Sequence, residues 1–308
     1  MDSHAFSWII FCGIVLLLLA LDLGVFNKTD HIINTKQSLA LTIFYITVAC
    51  VFGIYVYFDL GTASARDYFT GFLVEKAMSV DNIFIISSIF GFLKIPQKYQ
   101  HRVLFWGIFG VILLRAIMIS TGAALIANFE WVLFIFAAIL IITGIKTFYM
   151  VGRESIEIKD MYVYKVLKKR FNIYPRIAGN KFFVVEDNKI FITPLFMALV
   201  TIETMDIIFA IDSIPAIFAI TQDTYIVYTS NIFAILGLRA LYFFLSNIIT
   251  QFEYLKYSLA LILILIGVKI FAAHFIEIPA YVPLLITVIL LASGVLTSML
   301  IQRRKIKW

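Results

Sequence analysis

Charge is scarce in this sequence. Asp, Glu, Lys and Arg make up 14% of its 308 residues and hydrophobic residues 62%, against roughly 25% and 45–50% in a soluble domain. So much apolar surface cannot be buried in one core, which excludes a soluble globular domain. Cysteine is almost absent too: Cys12 and Cys50 lie in apolar runs without metal-ligand or disulfide-framework spacing, and they read as small buried hydrophobes. The four histidines, His4, His31, His101 and His274, fall at termini, loops or span ends and read as exposed side chains. No Walker A motif occurs, so this chain does not hydrolyse ATP. The first apolar run, Ser7 to Phe26, lacks a basic leading region and an A-x-A cleavage site, and is expected to span the membrane rather than be removed.

What is present is a succession of apolar runs, each near the ~20 residues that cross a bilayer as a helix. The expected fold is an all-α polytopic membrane protein of about nine transmembrane helices. These are placed at 7–26, 39–58, 67–93, 103–126, 130–150, 191–220, 225–248, 255–276 and 280–301. Lys and Arg set the orientation, because loops rich in them stay in the cytoplasm. Nine lie between Arg153 and Lys189 and four in Gln302 to Trp308, whereas Arg66 is the one basic residue in the expected outer loops. The N-terminus is therefore expected outside and the C-terminus in the cytoplasm. The net charge of +6 reflects this topology and calls for no nucleic acid. The polar stretch 151–190 is expected as a cytoplasmic loop. Its Lys168-Lys169-Arg170 run reads as a solvated face, with anionic lipid contact as a secondary role. Its Glu186-Asp187-Asn188-Lys189 segment suits the turn of a small hairpin.

The chain also repeats itself. Val80 to Ile89 against Met205 to Ile214 gives six identities in ten positions, matching Asp81 with Asp206 and Ser88 with Ser213. Nearly the same offset superposes Arg115 on Arg239 and Lys146 on Lys269. Three successive spans thus recur in order, and an odd number per copy forces two inverted three-helix repeats, a plan that places ion sites near the midplane. The expected organisation is two N-terminal transmembrane helices in 1–60, a first repeat in 61–150, the cytoplasmic loop 151–190 and a second repeat in 191–276. Residues 277–308 hold the last transmembrane helix and a basic cytoplasmic tail.

Beyond the first two residues of each span, six acids (Asp22, Glu75, Asp81, Glu203, Asp206 and Asp212) face five bases. A charge at the bilayer centre costs at least about 2.5–3.5 kcal/mol, which makes each a functional candidate. Lys146 and Lys269 lie close enough to span ends to snorkel, leaving Lys76, Arg115 and Arg239 as deep structural or gating partners. Arg115 with Asp81 and Arg239 with Asp206 are the symmetric pairs a purely structural role would form. The remaining acids require a cation or protons. Carboxylate and carbonyl oxygens suit Mg, Ca or Mn better than Zn or Cu. Ser79, Asn82, Thr204 and Ser213 are either accessory oxygens or interhelical hydrogen-bonding groups. On straight helices at about 100° per residue, Glu75 and Asp81 point about 120° apart, as do Asp206 and Asp212. One site therefore needs bent helices: a break at Pro215 in the sixth span and unwinding near Asp81 in the third.

Leu21-Asp22-Leu23-Gly24-Val25-Phe26, Glu75-Lys76 leading into Ser79-Val80-Asp81-Asn82, Tyr99 to Gly107 and Phe209 to Ile217 together resemble the TerC/Alx family of bacterial membrane proteins. Lys181-Phe182-Phe183-Val184 is similar to the family as well, and Met205 departs from it, where many members carry a small or polar residue. The resemblance spans almost the whole chain. It implies a bacterial inner-membrane transporter, not an enzyme, exporting Mn2+ as substrate. Glu75, Asp81, Glu203, Asp206 and Asp212 would be the ion pathway, and proton exchange is the coupling its carboxylates permit. No bound organic cofactor is implied; the partners are a divalent ion, protons and membrane lipid. A Ca2+/H+ exchanger and a tellurium-resistance component without direct metal transport stay open beside it. So do an intramembrane aspartyl enzyme, for which a G-x-G-D signature is missing, and a scaffold with structural ion pairs.

Overall fold

A computed structural model describes residues 3–24, 35–129, 131–150, 158–246, 254–272 and 281–305. Nearly all of it is helix, the form that satisfies every backbone polar group inside lipid. In chain order the helices are α1 (Ser3–Gly24), α2 (Thr35–Phe92), α3 (Gln97–Asn128), α4 (Val132–Met150), α5 (Tyr162–Arg170), α6 (Pro194–Phe218), α7 (Thr224–Leu236), α8 (Leu238–Leu245), α9 (Leu255–Ala272) and α10 (Tyr281–Lys305). Large apolar side chains remain exposed on the outward faces, Phe58 at 80% and Ile142 at 65%, a pattern suited to lipid rather than water.

Seven helices among the described residues are long and apolar enough to cross a membrane, and Ala5–Leu21 is a shorter apolar helix. The first of the seven, Lys36–Phe92, has 57 residues, which unbroken would extend about 86 Å, nearly three hydrocarbon thicknesses. It is broken at Gly61, whose φ of 86° and ψ of 178° only glycine adopts readily. The two arms fold back on each other: the Tyr68 hydroxyl donates to the Ala49 carbonyl at 3.0 Å, and the Phe69 ring fills the space a side chain at Gly53 would need.

Two expected distortions are absent. Gly61 is the non-helical residue inside α2, so the helix runs unbroken past Asp81. The α6 helix likewise continues through Pro215 to Phe218. Pro215 sits in the last turn, where little helix remains downstream to be kinked. The break lies elsewhere, at Gly237 between α7 and α8.

Burial orders the bundle. The most hydrophobic part of Thr224–Leu245 is 89% buried, that of Tyr281–Ile301 17%, so the α7–α8 segment is central and α10 peripheral. One contact is reciprocal. A side chain at Gly144 in α4 would strike the Ala260 carbonyl and Ile264 of α9; one at Gly267 in α9 would strike the Ala137 carbonyl and Ile141 of α4. The same sequence spacing separates Gly144 from Gly267, Ala137 from Ala260 and Ile141 from Ile264. As residue number rises along α4 it falls along the facing stretch of α9, so the helices pack antiparallel, backbone against backbone, as small residues allow.

Between α5 and α6 lies the expected hairpin, strands β1 (Phe183–Glu186) and β2 (Lys189–Ile192), paired antiparallel with Glu186 opposite Lys189. Asp187 and Asn188 both take positive φ, 48° and 61°, as a two-residue hairpin turn matched to strand twist requires. Lys168, Lys169 and Arg170 at the end of α5 are exposed, as expected.

Candidate ion site

Arg115 sits fully buried on α3. A guanidinium taken out of water is tolerated only with its donors satisfied, and acceptors arrive from three other helices. Its Nη1 donates to Glu75 Oε1 of α2 at 2.5 Å, Asn231 Oδ1 of α7 at 3.0 Å and Ser213 Oγ of α6 at 3.1 Å. Its Nη2 and Nε donate to the two oxygens of Asp206 on α6, at 3.2 and 3.3 Å. A second layer steadies both carboxylates: Asn231 Nδ2 donates to Glu75 Oε2 at 3.1 Å, and Asn82 Nδ2 to Asp206 Oδ1 at 3.4 Å. Glu75, Asp206, Ser213 and Asn231 are themselves buried.

A cavity of about 80 Å3 adjoins this cluster, with Glu75, Asp81, Asn82, Arg115, Asp212 and Ser213 on its polar wall. Asp212 accepts from Thr143 Oγ1 of α4 at 2.9 Å. Asp81 Oδ1 is buried with no hydrogen-bond partner. Across Asn82 and Phe209, which line both spaces, a void of about 20 Å3 reaches Asp206. Glu203 is set apart. Both its carboxyl oxygens are buried without a partner, pressed on α3 where Gly107 and Gly110 leave room for the group.

The five acids therefore divide. Glu75 and Asp206 share a guanidinium, Asp81 and Asp212 border the cavity, and Glu203 lies against α3. Among the described residues no three His, Cys, Asp or Glu side chains come close enough to form a ready metal cluster. The expected pairs Arg115–Asp81 and Arg239–Asp206 are replaced. Arg115 bridges the repeats to Asp206, and Arg239 Nη1 donates to His101 Nε2 at 2.7 Å. His101 is thus an internal contact rather than an exposed side chain, its ring stacked on Phe243. Lys76 is no acid's partner in these hydrogen bonds: its Nζ donates to the Ala234 carbonyl at 3.0 Å. That carbonyl lies in the last turn of α7, where the Gly237 break leaves acceptors without intrahelical donors. The Ser79 and Thr204 hydroxyls donate to carbonyls of their own helices. Asp22 belongs to α1, with its side chain outside the described residues.

Asn231 and Thr143 are the site residues that counting charges passes over. Each was visible as a polar residue inside an apolar run, Asn231 just before the repeated Ile232-Phe233 and Thr143 just before the repeated Gly144.

Residues 60–306 match the integral membrane protein TerC family. The chain belongs to the TerC family. It is 58% identical over 294 residues to a membrane protein of Rickettsia bellii, covering 96% of this chain and 97% of that one. It is 42% identical over 296 residues to a membrane protein of Myxococcus xanthus, covering 96% and 92%. A third relative of this TerC protein is 39% identical over 286 residues, covering 90% and 89%; it is an Escherichia coli K12 protein that carries the name membrane-bound redox modulator Alx. No solved structure matches the chain.

Proposed function

We propose that this TerC protein is a secondary transporter that exports Mn2+ from the cytoplasm through a site of buried carboxylates, with proton exchange as the coupling. The observation that carries the proposal is the set of acid oxygens left without a hydrogen-bond partner once Lys76, Arg115 and Arg239 are assigned. Asp81 Oδ1 and both oxygens of Glu203 are buried without a partner, and Asp81 and Asp212 face a cavity that Glu75 also lines. Unpaired buried carboxylates are costly unless they serve to bind a proton or a cation. Oxygen donors of this kind suit a hard or borderline divalent ion.

The reciprocal seating of Gly144 and Gly267 supports the inverted-repeat plan, because two antiparallel helices that exchange equivalent contacts are what a two-fold axis in the membrane plane produces. Counting the two arms of α2 separately and including α1 favours nine crossings, N-terminus outside and C-terminus in the cytoplasm of a bacterial inner membrane. The exposed Lys168, Lys169 and Arg170 then lie on the cytoplasmic side.

Uptake of Mn2+ into inverted membrane vesicles tests the proposal, with Asp81→Asn and Asp206→Asn expected to abolish it. Ca2+ in the same assay distinguishes the exchanger of nearest chemistry: uptake of Ca2+ in preference to Mn2+ would reassign the substrate. Wild-type vesicles that accumulate neither ion would remove the transporter reading.

A further inference from the structure

The acceptors around Arg115 are those a divalent ion would choose. Two are carboxylates, Glu75 and Asp206, one is an amide oxygen, Asn231 Oδ1, and one a hydroxyl, Ser213 Oγ, all within 2.5–3.3 Å of guanidinium nitrogens. They converge from α2, α6 and α7, and no water-exposed route supplies the charge balance, since Arg115 is 0% and Glu75 1% exposed. Charge counting separates the two occupants. A guanidinium brings one positive charge to the two acids, and a divalent ion brings two. Beside the cluster lies the cavity that Glu75 and Arg115 both line, and buried in its surroundings is the unpartnered Asp81 Oδ1. An incoming cation thus has an acid to meet before it reaches the guanidinium.

We infer that the Arg115 guanidinium is a tethered counter-cation holding the divalent-ion position between Glu75 and Asp206, and that Asn231 and Ser213 are the neutral oxygen ligands of the ion that displaces it. The inference rests on the proposed export of a divalent cation and names where that ion sits. Occupancy by arginine keeps two deep acids partnered when no ion is bound, the condition for an empty carrier to change conformation without carrying bare charge through lipid. Metal and guanidinium then exclude each other, so binding of the ion must push Arg115 out toward the adjoining cavity. The hydroxyl and amide contribute neutral oxygens of the kind found around Mg, Ca and Mn.

The test uses the full-length protein purified in detergent, Mn2+ binding by titration calorimetry, and thermal melting with chelator or with Mn2+. Arg115→Gln removes the competitor and leaves a shorter, neutral polar side chain. It is expected to melt below wild type in chelator, to gain more from added Mn2+ than wild type does, and to bind Mn2+ at least ten-fold more tightly. Adding Asn231→Leu should cancel most of that gain. A folded Arg115→Gln protein that binds none of Mn2+, Ca2+ and Mg2+ more tightly than wild type overturns the inference. If Arg115→Gln does not fold without metal, Arg115→Lys carries the test. A single ammonium cannot serve both carboxylates as the guanidinium fork does, so tighter Mn2+ binding than wild type is expected, and no gain in affinity for any of the three ions overturns it.

The two proposals fail differently. Wild-type export with no change of affinity in the variants ends the competition and leaves export standing. Tighter binding of Ca2+ or Mg2+ but not Mn2+ by Arg115→Gln upholds the competition and ends the manganese assignment. No binding of any of the three ions by any variant ends both.

Discussion

Gly144 and Gly267 each lie against the other's helix at equivalent positions: Gly144 on Ala260 and Ile264, Gly267 on Ala137 and Ile141. A backbone-to-backbone approach of this kind leaves no room for a Cβ. Because the carbonyls of Ala260 and Ala137 form the wall, rotamer changes cannot make room, and the helices themselves would have to separate. Gly144→Val and Gly267→Val are each expected to destabilise by about 1–3 kcal/mol or more, the usual cost of overpacking. The two losses should be similar in size if a pseudo-two-fold axis relates the sites. Melting temperatures of the two purified variants check this, and a large difference between them would count against the symmetry.

Glu203 offers the opposite case. Its carboxyl oxygens are buried with no partner, and removing an unsatisfied buried polar group relieves a cost of about 1–3 kcal/mol. Glu203→Leu is expected to raise the melting temperature while abolishing transport. A variant that transports normally would show that Glu203 lies off the ion pathway, and one that melts lower would show that its oxygens have partners in the membrane.

Lys76 is expected to hold helix ends together rather than to serve an acid. Its bond to the Ala234 carbonyl spans from α2 to the turn before the Gly237 break, where a cation also meets the negative end of the α7 dipole. Lys76→Met keeps the chain length and loses the donor. A destabilisation of about 1–3 kcal/mol is expected, as for a buried hydrogen bond to a charged group. Mn2+ affinity should stay unchanged, and a changed affinity with unchanged melting would place Lys76 in the ion site instead.

Gly61→Ala probes the turn that divides α2. At a φ of 86° with an extended ψ, a Cβ introduces backbone strain of about 1–3 kcal/mol. Reduced stability with the remaining transport pattern intact is the expected outcome, read from melting and from vesicle uptake.

Much of this was legible in the sequence because lipid enforces simple rules. The apolar runs became helices, the Glu186 to Lys189 segment became the turn of a hairpin, and Gly144 and Gly267, aligned by the repeat, proved to occupy reciprocal positions. The partners of the charges were not legible. Superposing Arg115 on Arg239 and Asp81 on Asp206 suggests that each repeat satisfies its own charges. A packed bundle instead pairs whichever groups its helices bring together, so Arg115 reaches Asp206 across the repeats and Arg239 reaches His101. The direction of each side chain around its helix decides this, and periodicity gives that direction only within one helix. Proline misled for a related reason: Pro215 has few residues after it in α6, while Gly237 interrupts a segment with no proline at all.

The most direct test of the central claim is Mn2+ uptake into inverted vesicles by wild type, Asp81→Asn and Asp206→Asn at matched expression. Wild-type accumulation lost in both variants is the predicted result, since one substitution removes a cavity acid and the other half of the Arg115 clamp. Equal uptake by all three would contradict an export pathway built on these carboxylates.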